Sequence, residues 1–152
     1  MTLQDKARQQ NILTFRLNGE DYGLDIMSVR EIRGWSRATT LPHAPDYVLG
    51  VINLRGTVLP VLDLRSRLGF EGASLSERSV VLVTHHQERL TGLLVDAVSD
   101  IITVPVDDLQ PPPTLPSQEY ETMLTGMTLI QERLIRVLDL PKVLGASGDL
   151  AA

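Results

Sequence analysis

The chain has 152 residues, enough for one ordinary domain or for two very small units sharing a core. Apolar residues make up 43% and charged residues 22%, the balance of a globular protein that can bury a core. A net charge of −5 with 4% aromatics argues against a nucleic-acid face, and the absence of cysteine excludes disulfides, thiolate metal sites and a cysteine nucleophile.

The N-terminal stretch MTLQDKARQQ is polar and lacks the apolar region of a secretory signal, and no apolar run approaches the roughly 20 residues that span a bilayer. A cytoplasmic protein is expected, with residues 1–10 and 147–152 as flexible tails. Leu13, Phe15 and Leu17 alternate with Thr14 and Arg16, the pattern of a half-buried strand, and Asn18-Gly19 supplies a tight hairpin turn. Met27–Ile32 suits one or two helical turns, and Asp46–Leu49 one turn after Pro45. Val51–Leu54 and Thr57–Leu62 flank Arg55-Gly56 as a second hairpin, and Arg65–Leu68 reads as a helical turn ended by Gly69. Val80–Thr84 and Leu90–Val95 form a third hairpin around Gln87-Glu88. The proline-rich Val104–Pro116 reads as an extended loop. Met127–Ile130 and Arg133–Leu138 turn at Gln131-Glu132, and Pro141–Leu144 makes a terminal helix stopped by Gly145.

Two stretches repeat without gaps. Tyr22–Ile32 (YGLDIMSVREI) matches Thr91–Ile101 (TGLLVDAVSDI) at an offset of 69 residues, and Gly50–Leu64 matches Gly126–Leu140 at an offset of 76, both ending in VLDL. Many short strands and a duplication predict a mostly β fold: two five-stranded barrels side by side, with short helices including one near the C-terminus. The order of the repeats divides residues 11–146, a single domain, into barrels at roughly 11–70 plus the C-terminal helix and at 78–140.

Little in the chain suggests catalysis. No phosphate-binding loop, dinucleotide fingerprint or nucleophile elbow occurs. His85 and His86 are neighbours, so on a strand they point to opposite faces, and His43 sits in a proline-flanked loop; none suggests a metal site. Asp107-Asp108 reads as solvated, and Asp96 and Asp100 could share a helical face merely as surface charges. What stands out is NLRG, Asn53–Gly56, which sets an arginine in a turn between two apolar strands. Its plain reading is a solvated turn residue; its functional reading is an anchor paired with Glu31, since a guanidinium holds two hydrogen bonds at once. Gly50 is either a helix cap or a place where another chain comes close.

The chain closely resembles the CheW family of chemotaxis coupling proteins, from Leu13 to Leu144. The resemblance rests on YGLDIMSVREIRG (Tyr22–Gly34), LPHAPDYVLGVINLRGTVLPVLDLR (Leu41–Arg65), GLLVDAVSDI (Gly92–Ile101), and LTGM followed by RLIRVLDLPKVL between Leu124 and Leu144. It implies two SH3-like barrels, no catalysis and no cofactor. It implies a scaffold in two-component signalling, recruited to receptor arrays at the inner face of the membrane without inserting into it. The implied partners are the regulatory domain of the histidine kinase CheA, the cytoplasmic tip of methyl-accepting chemoreceptors, and other CheW copies in arrays. By position, Val29, Gly50, Val98 and Ile101 match the family's receptor-facing groove between the barrels. Glu31, Ile32, Arg55 and Val58 match the face around the kinase contact, Glu31 and Arg55 as an acid–arginine pair.

The competing expectation is a double barrel that binds or converts a small molecule in that groove. A metabolite pocket wants a few convergent polar groups among apolar walls. Val29, Gly50, Val98 and Ile101 offer apolar side chains or bare backbone, which suits a helix from a partner better.

Overall fold

The computed structural model describes residues 8–72, 75–112 and 123–145. In chain order its strands are β1 (Gln9–Leu17), β2 (Glu20–Asp25), β3 (Val29–Gly34), β4 (Val48–Leu54), β5 (Thr57–Asp63), β6 (Val80–His86), β7 (Arg89–Val95), β8 (Ala97–Pro105), β9 (Leu124–Ile130) and β10 (Arg133–Leu138); the helices are α1 (Leu64–Arg67) and α2 (Leu140–Leu144). The four hairpin turns fall at the expected dipeptides. Asn18-Gly19, Arg55-Gly56, Gln87-Glu88 and Gln131-Glu132 all take positive φ, the backbone that matches the twist of paired strands.

Both VLDL motifs have a local reason: the valine and first leucine complete a buried strand, the aspartate caps the next helix and the last leucine is that helix's buried first residue. Asp63 accepts from the Arg65 amide and Asp139 from the Lys142 amide, satisfying donors a helix start leaves open. Gly69 and Gly145 follow the helices at positive φ, as expected.

Several expectations are corrected. Met27–Ile32 is not helical: a single 3-10 turn, Ile26–Ser28, is followed at once by β3, because Val29–Gly34 pairs with β6. Glu31 therefore sits on a strand. Asp100 also lies on a strand, β8, rather than on a helical turn shared with Asp96. Asp46 and Tyr47 form a turn, closed by the Val48 amide on the Pro45 carbonyl at 2.9 Å, and β4 starts straight after it. β1 begins inside the expected N-terminal tail, where Gln9 and Gln10 pair with Pro105 and Val104. The remaining tail residues, 1–7 and 147–152, and the proline-rich stretch from residue 113 lie outside the described residues.

The strands form two five-stranded sheets, ordered β8-β1-β2-β10-β9 and β3-β6-β7-β5-β4. The repeat offsets turn one order into the other, strand for strand. The sheets do not follow the halves of the sequence, however. Each sheet combines the first two strands of one repeat with the last three of the other. The expected division at 11–70 and 78–140 is replaced by an exchange: after β2 the chain crosses to pair β3 with β6, and after β7 it crosses back to pair β8 with β1. The registers match too. Leu13 faces Ile101 as Leu82 faces Ile32, Phe15 faces Val98 as Thr84 faces Val29, and a bulge separates the two pairs in each sheet.

Each sheet also curls towards closure in the same way. Thr39, downstream of β3, exchanges two backbone hydrogen bonds with Val51 of β4, at 2.9 and 2.8 Å; Gln110, downstream of β8, does so with Met127 of β9, at 2.8 and 2.7 Å. The largest apolar cluster is shared. Leu13, Phe15 and Leu24 of one sheet meet Leu62, Leu82 and Leu93 of the other, with Leu64 and Leu68 of the α1 region and Leu140 and Val143 of α2 sealing it. Smaller clusters fill each sheet's own concavity, around Val61, Val81 and Val83 and around Ile12, Ile135 and Val137. Exchange and shared core together make the two sheets one folding unit.

Candidate functional site

The arginine of NLRG meets the expected acid. Asn53 accepts from the Gly56 amide at 2.8 Å, fixing the turn, and Arg55 projects from its tip at φ 49°. Its Nη2 donates to Glu31 Oε2 at 2.5 Å. Arg33 donates to the other carboxylate oxygen at 3.4 Å, so Glu31 holds two guanidinium groups. The hydrogen bond from Arg55 holds the Glu31 carboxyl below its ordinary value, with the charges of Arg55 and Arg33 adding to it, and the same bond raises Arg55. The Arg55 side chain is 68% exposed, leaving most of its donors facing outward.

The repeat offsets make Asp100 and Gln131 the counterparts of Glu31 and Arg55, yet they form no such pair. Asp100 turns onto Thr14, whose hydroxyl donates to its carboxylate while accepting from its amide at 3.1 Å. The residue matching Thr14 is Val83, which offers no hydroxyl, so the longer Glu31 side chain is left to reach Arg55. The acid–arginine face therefore exists on one sheet.

The other expected site residues separate into groups. Val29 and Val98 stand at matching registers, opposite Thr84 and Phe15, and both pack half-buried against the shared cluster. Ile101 is 60% exposed and Ile32, its repeat counterpart, 45%. Directly opposed residues share a sheet face, so Ile32, opposite Leu82, faces the same side as Val29 rather than the side of Glu31. Val58 is exposed and lines a cleft of about 680 Å³ between β5, the β6–β7 hairpin and the end of α2.

Gly50 answers differently from expectation. It is buried, at φ 146°, and a Cβ there would lie 2.1 Å from the Thr39 carbonyl oxygen. Another stretch of chain does come close, but it is the protein's own, at the bridge that curls the sheet. Gly126 repeats the arrangement, with the Gln110 carbonyl 2.8 Å from its missing Cβ. The sequence signal was present in the repeat: glycine recurs where each sheet closes.

The three histidine side chains do not converge. His85 Nε2 lies 2.9 Å from the Met27 carbonyl, His86 lines the cleft and His43 is exposed in its loop. Among the described residues no three histidines or carboxylates gather as metal ligands, and no helix is long and apolar enough to cross a membrane. Sequence reasoning passed over Leu129 and Leu134, opposed on β9 and β10, 68% and 40% exposed. Leu134 is the repeat counterpart of Val58, which is the signal that could have found it.

Comparison with known proteins gives the arrangement a family. The CheW-like domain model matches residues 11–147. The chain belongs to the CheW family. It is 46% identical over 134 residues to the chemotaxis protein CheW of Rhizobium meliloti, covering 88% of this chain and 86% of that protein. It is 36% identical to the CheW of Klebsiella aerogenes, covering 90% and 82%. A crystal structure of the scaffolding protein TtCheW from Thermoanaerobacter tengcongensis superposes with a TM-score of 0.84 at 30% identity, covering 93% of this chain and 92% of that one. CheW-family proteins are non-catalytic chemotaxis scaffolds, and the mostly β, two-sheet fold is theirs.

Proposed function

We propose that this chain couples methyl-accepting chemoreceptors to the histidine kinase CheA, holding both in one cytoplasmic signalling array. The observation that carries the reading is the Glu31–Arg55 pair: a short, charge-assisted bond on the surface, displayed by one sheet and absent from its repeat counterpart. Fold maintenance alone gives no reason for that asymmetry. In this reading Glu31, Ile32, Arg55 and Val58 serve the CheA regulatory domain. Val29, Val98 and Ile101 serve the apolar face of a receptor helix at the seam between the sheets. Gly50 supports that seam from within by letting the sheet curl. Other copies of the protein take part in the array through the same kinds of contact.

Reconstitution tests the reading. The purified chain, CheA and a receptor cytoplasmic fragment should co-sediment as a ternary complex with raised kinase activity. Binding of only one partner, or of neither, overturns it.

A further inference from the structure

The two copies of the repeat carry opposite charge where the fold treats them alike. From Val29 the chain sets Arg30, Arg33 and Arg37 around a single acid, Glu31, and meets no second carboxylate until Asp46. At the repeat offsets Ser99, Ile102 and Val106 stand in place of these arginines and Gln131 in place of Arg55, while the acid alone recurs, as Asp100. The β8 stretch then adds Asp107 and Asp108. One sheet therefore builds the same strand, bulge and closing bridge without any of the four arginines, so the fold does not require them on the other.

The arginines lie along one strip. At one end Glu31 accepts from Arg33 and Arg55; at the other Thr39 is bonded to Val51 of β4, and Arg37 falls between these two fixed points. Arg30 is the extra residue of the bulge between Val29 and Glu31. Arg30 and Arg37 are exposed, and the side chains of Arg33 and Arg55 are 39% and 68% exposed. Among the described residues neither Arg30 nor Arg37 pairs with a carboxylate. β6, beside β3, and β4, across the gap, contain no acid; Glu77 and Glu88, before and after β6, each adjoin an arginine of their own, Arg78 and Arg89. Four guanidinium groups against one carboxylate make a strongly basic strip on a chain whose net charge is −5.

We propose that this strip docks an acidic surface of the kinase, whose carboxylates take the guanidinium donors that Glu31 leaves unused. The inference rests on the reading of Glu31 and Arg55 as the kinase face. To that reading it adds the partner's chemistry and two residues, Arg30 and Arg37. Crowded like charges repel one another in the free protein, and an opposing row of carboxylates relieves them. Ile32 and Val58 are exposed on the same elements, and arginine mixed with apolar side chains is the composition of a protein–protein contact.

The test measures association and dissociation rates of full-length CheA with the parent chain, R30E, R37E and R8E, at low and high NaCl. Arg8 is exposed ahead of β1, in the other sheet, and gives the same charge change away from the strip. Exposed charges steer encounter more than they hold a complex together, so the parent's association rate should fall about fivefold or more between about 50 and 300 mM NaCl. R30E and R37E should each slow association about threefold or more at low salt, with dissociation rates and melting temperatures close to the parent's, and R8E should behave as the parent. An association rate insensitive to salt, or R30E and R37E matching R8E, overturns the proposal and leaves the coupling reading standing. Failure of CheA to bind the parent at any salt overturns both. Binding to phosphatidylserine vesicles, or self-association, that R30E and R37E abolish while CheA binding is unchanged also overturns the proposal, assigning the strip to a membrane surface or to a second copy.

Discussion

Arg55 donates a 2.5 Å hydrogen bond to Glu31 across the gap between the β4–β5 turn and β3, two elements far apart in sequence that the curl of one sheet brings together. The pair is exposed on the arginine side, so solvent screens it and it adds little to the fold. Arg55→Ala and Glu31→Gln should therefore melt within about 2 °C of the parent, while kinase activation in the reconstituted complex drops by tenfold or more. The sign of the pH effect follows from the depressed Glu31 carboxyl. Its charged form, and the contact with it, persists above the ordinary carboxylate value and is lost only as pH falls through the lower value in the folded protein. Activation should hence show no titration from this pair between pH 6 and 8. Variants that melt far lower yet still activate the kinase would make the pair structural.

Much of this surface was legible in the sequence, because its pieces are local. A turn between two apolar strands announces itself, and NLRG placed Arg55 at its tip. The repeats were legible too, since Gly23 matches Gly92 and Gly50 matches Gly126. The exchange of strands was not. Nothing local tells β3 to leave β2 for β6, as the choice is made by Leu82 and Val83, some fifty residues downstream, offering a better-buried neighbour. Met27–Ile32 misled for the same reason: six residues of mixed polarity suit one helical turn until an edge strand is there to pair with. Gly50 was seen as unusual, but its reason, the Thr39 carbonyl, is visible only once the sheet curls.

The two closure glycines give a rank-order test of the curl. At Gly50 an added Cβ meets both a backbone oxygen at 2.1 Å and an unfavourable φ of 146°. At Gly126 the contact is looser, at 2.8 Å. Gly50→Ala should cost roughly 2 kcal/mol or more, a drop of about 5 °C or greater in Tm, and Gly126→Ala distinctly less. Thermal unfolding by circular dichroism decides the order. Equal, small losses at both sites would show that the bridges at Thr39 and Gln110 give way easily.

Asp21 offers a stability test with a defined pH sign. It is buried and accepts from Arg133 and Arg16, and chiefly the Arg133 hydrogen bonds hold its carboxyl below the ordinary value. The arginines are about half exposed, which reduces the gain to about 1 kcal/mol. That stabilisation is complete above the unfolded carboxylate value near 4 and disappears as pH falls through the lower folded value. Asp21→Asn should thus be less stable than the parent in urea melts at pH 7, and the difference should shrink steadily below pH 4. A gap that stays constant down to pH 2 would trace the effect to packing instead.

Ile101 and Ile32 provide the sharpest test of how the two partners divide the surface. They are repeat counterparts at matching registers, both exposed, and they differ mainly in their surroundings: Ile32 adjoins Glu31, whose carboxylate faces Arg55, whereas Ile101 adjoins Asp100, whose carboxylate is turned onto Thr14. An aspartate at either place leaves the free protein's core intact, because both side chains already meet water. In a complex it would force a charge to be desolvated, at a cost of at least roughly 1–3 kcal/mol, or about ten- to a hundredfold in affinity. Ile101→Asp should weaken binding of the receptor cytoplasmic fragment by tenfold or more and leave CheA binding within about twofold. Ile32→Asp should show the reverse preference, with Arg55→Ala grouping with it. Titrating both partners against the parent and all three variants gives the full matrix. The strand register defines the result that would overturn this division, since Ile32 shares its face with Val29. If Ile32→Asp loses the receptor as Ile101→Asp does, the seam extends across both isoleucines, and the kinase surface contracts to Glu31, Arg55 and Val58.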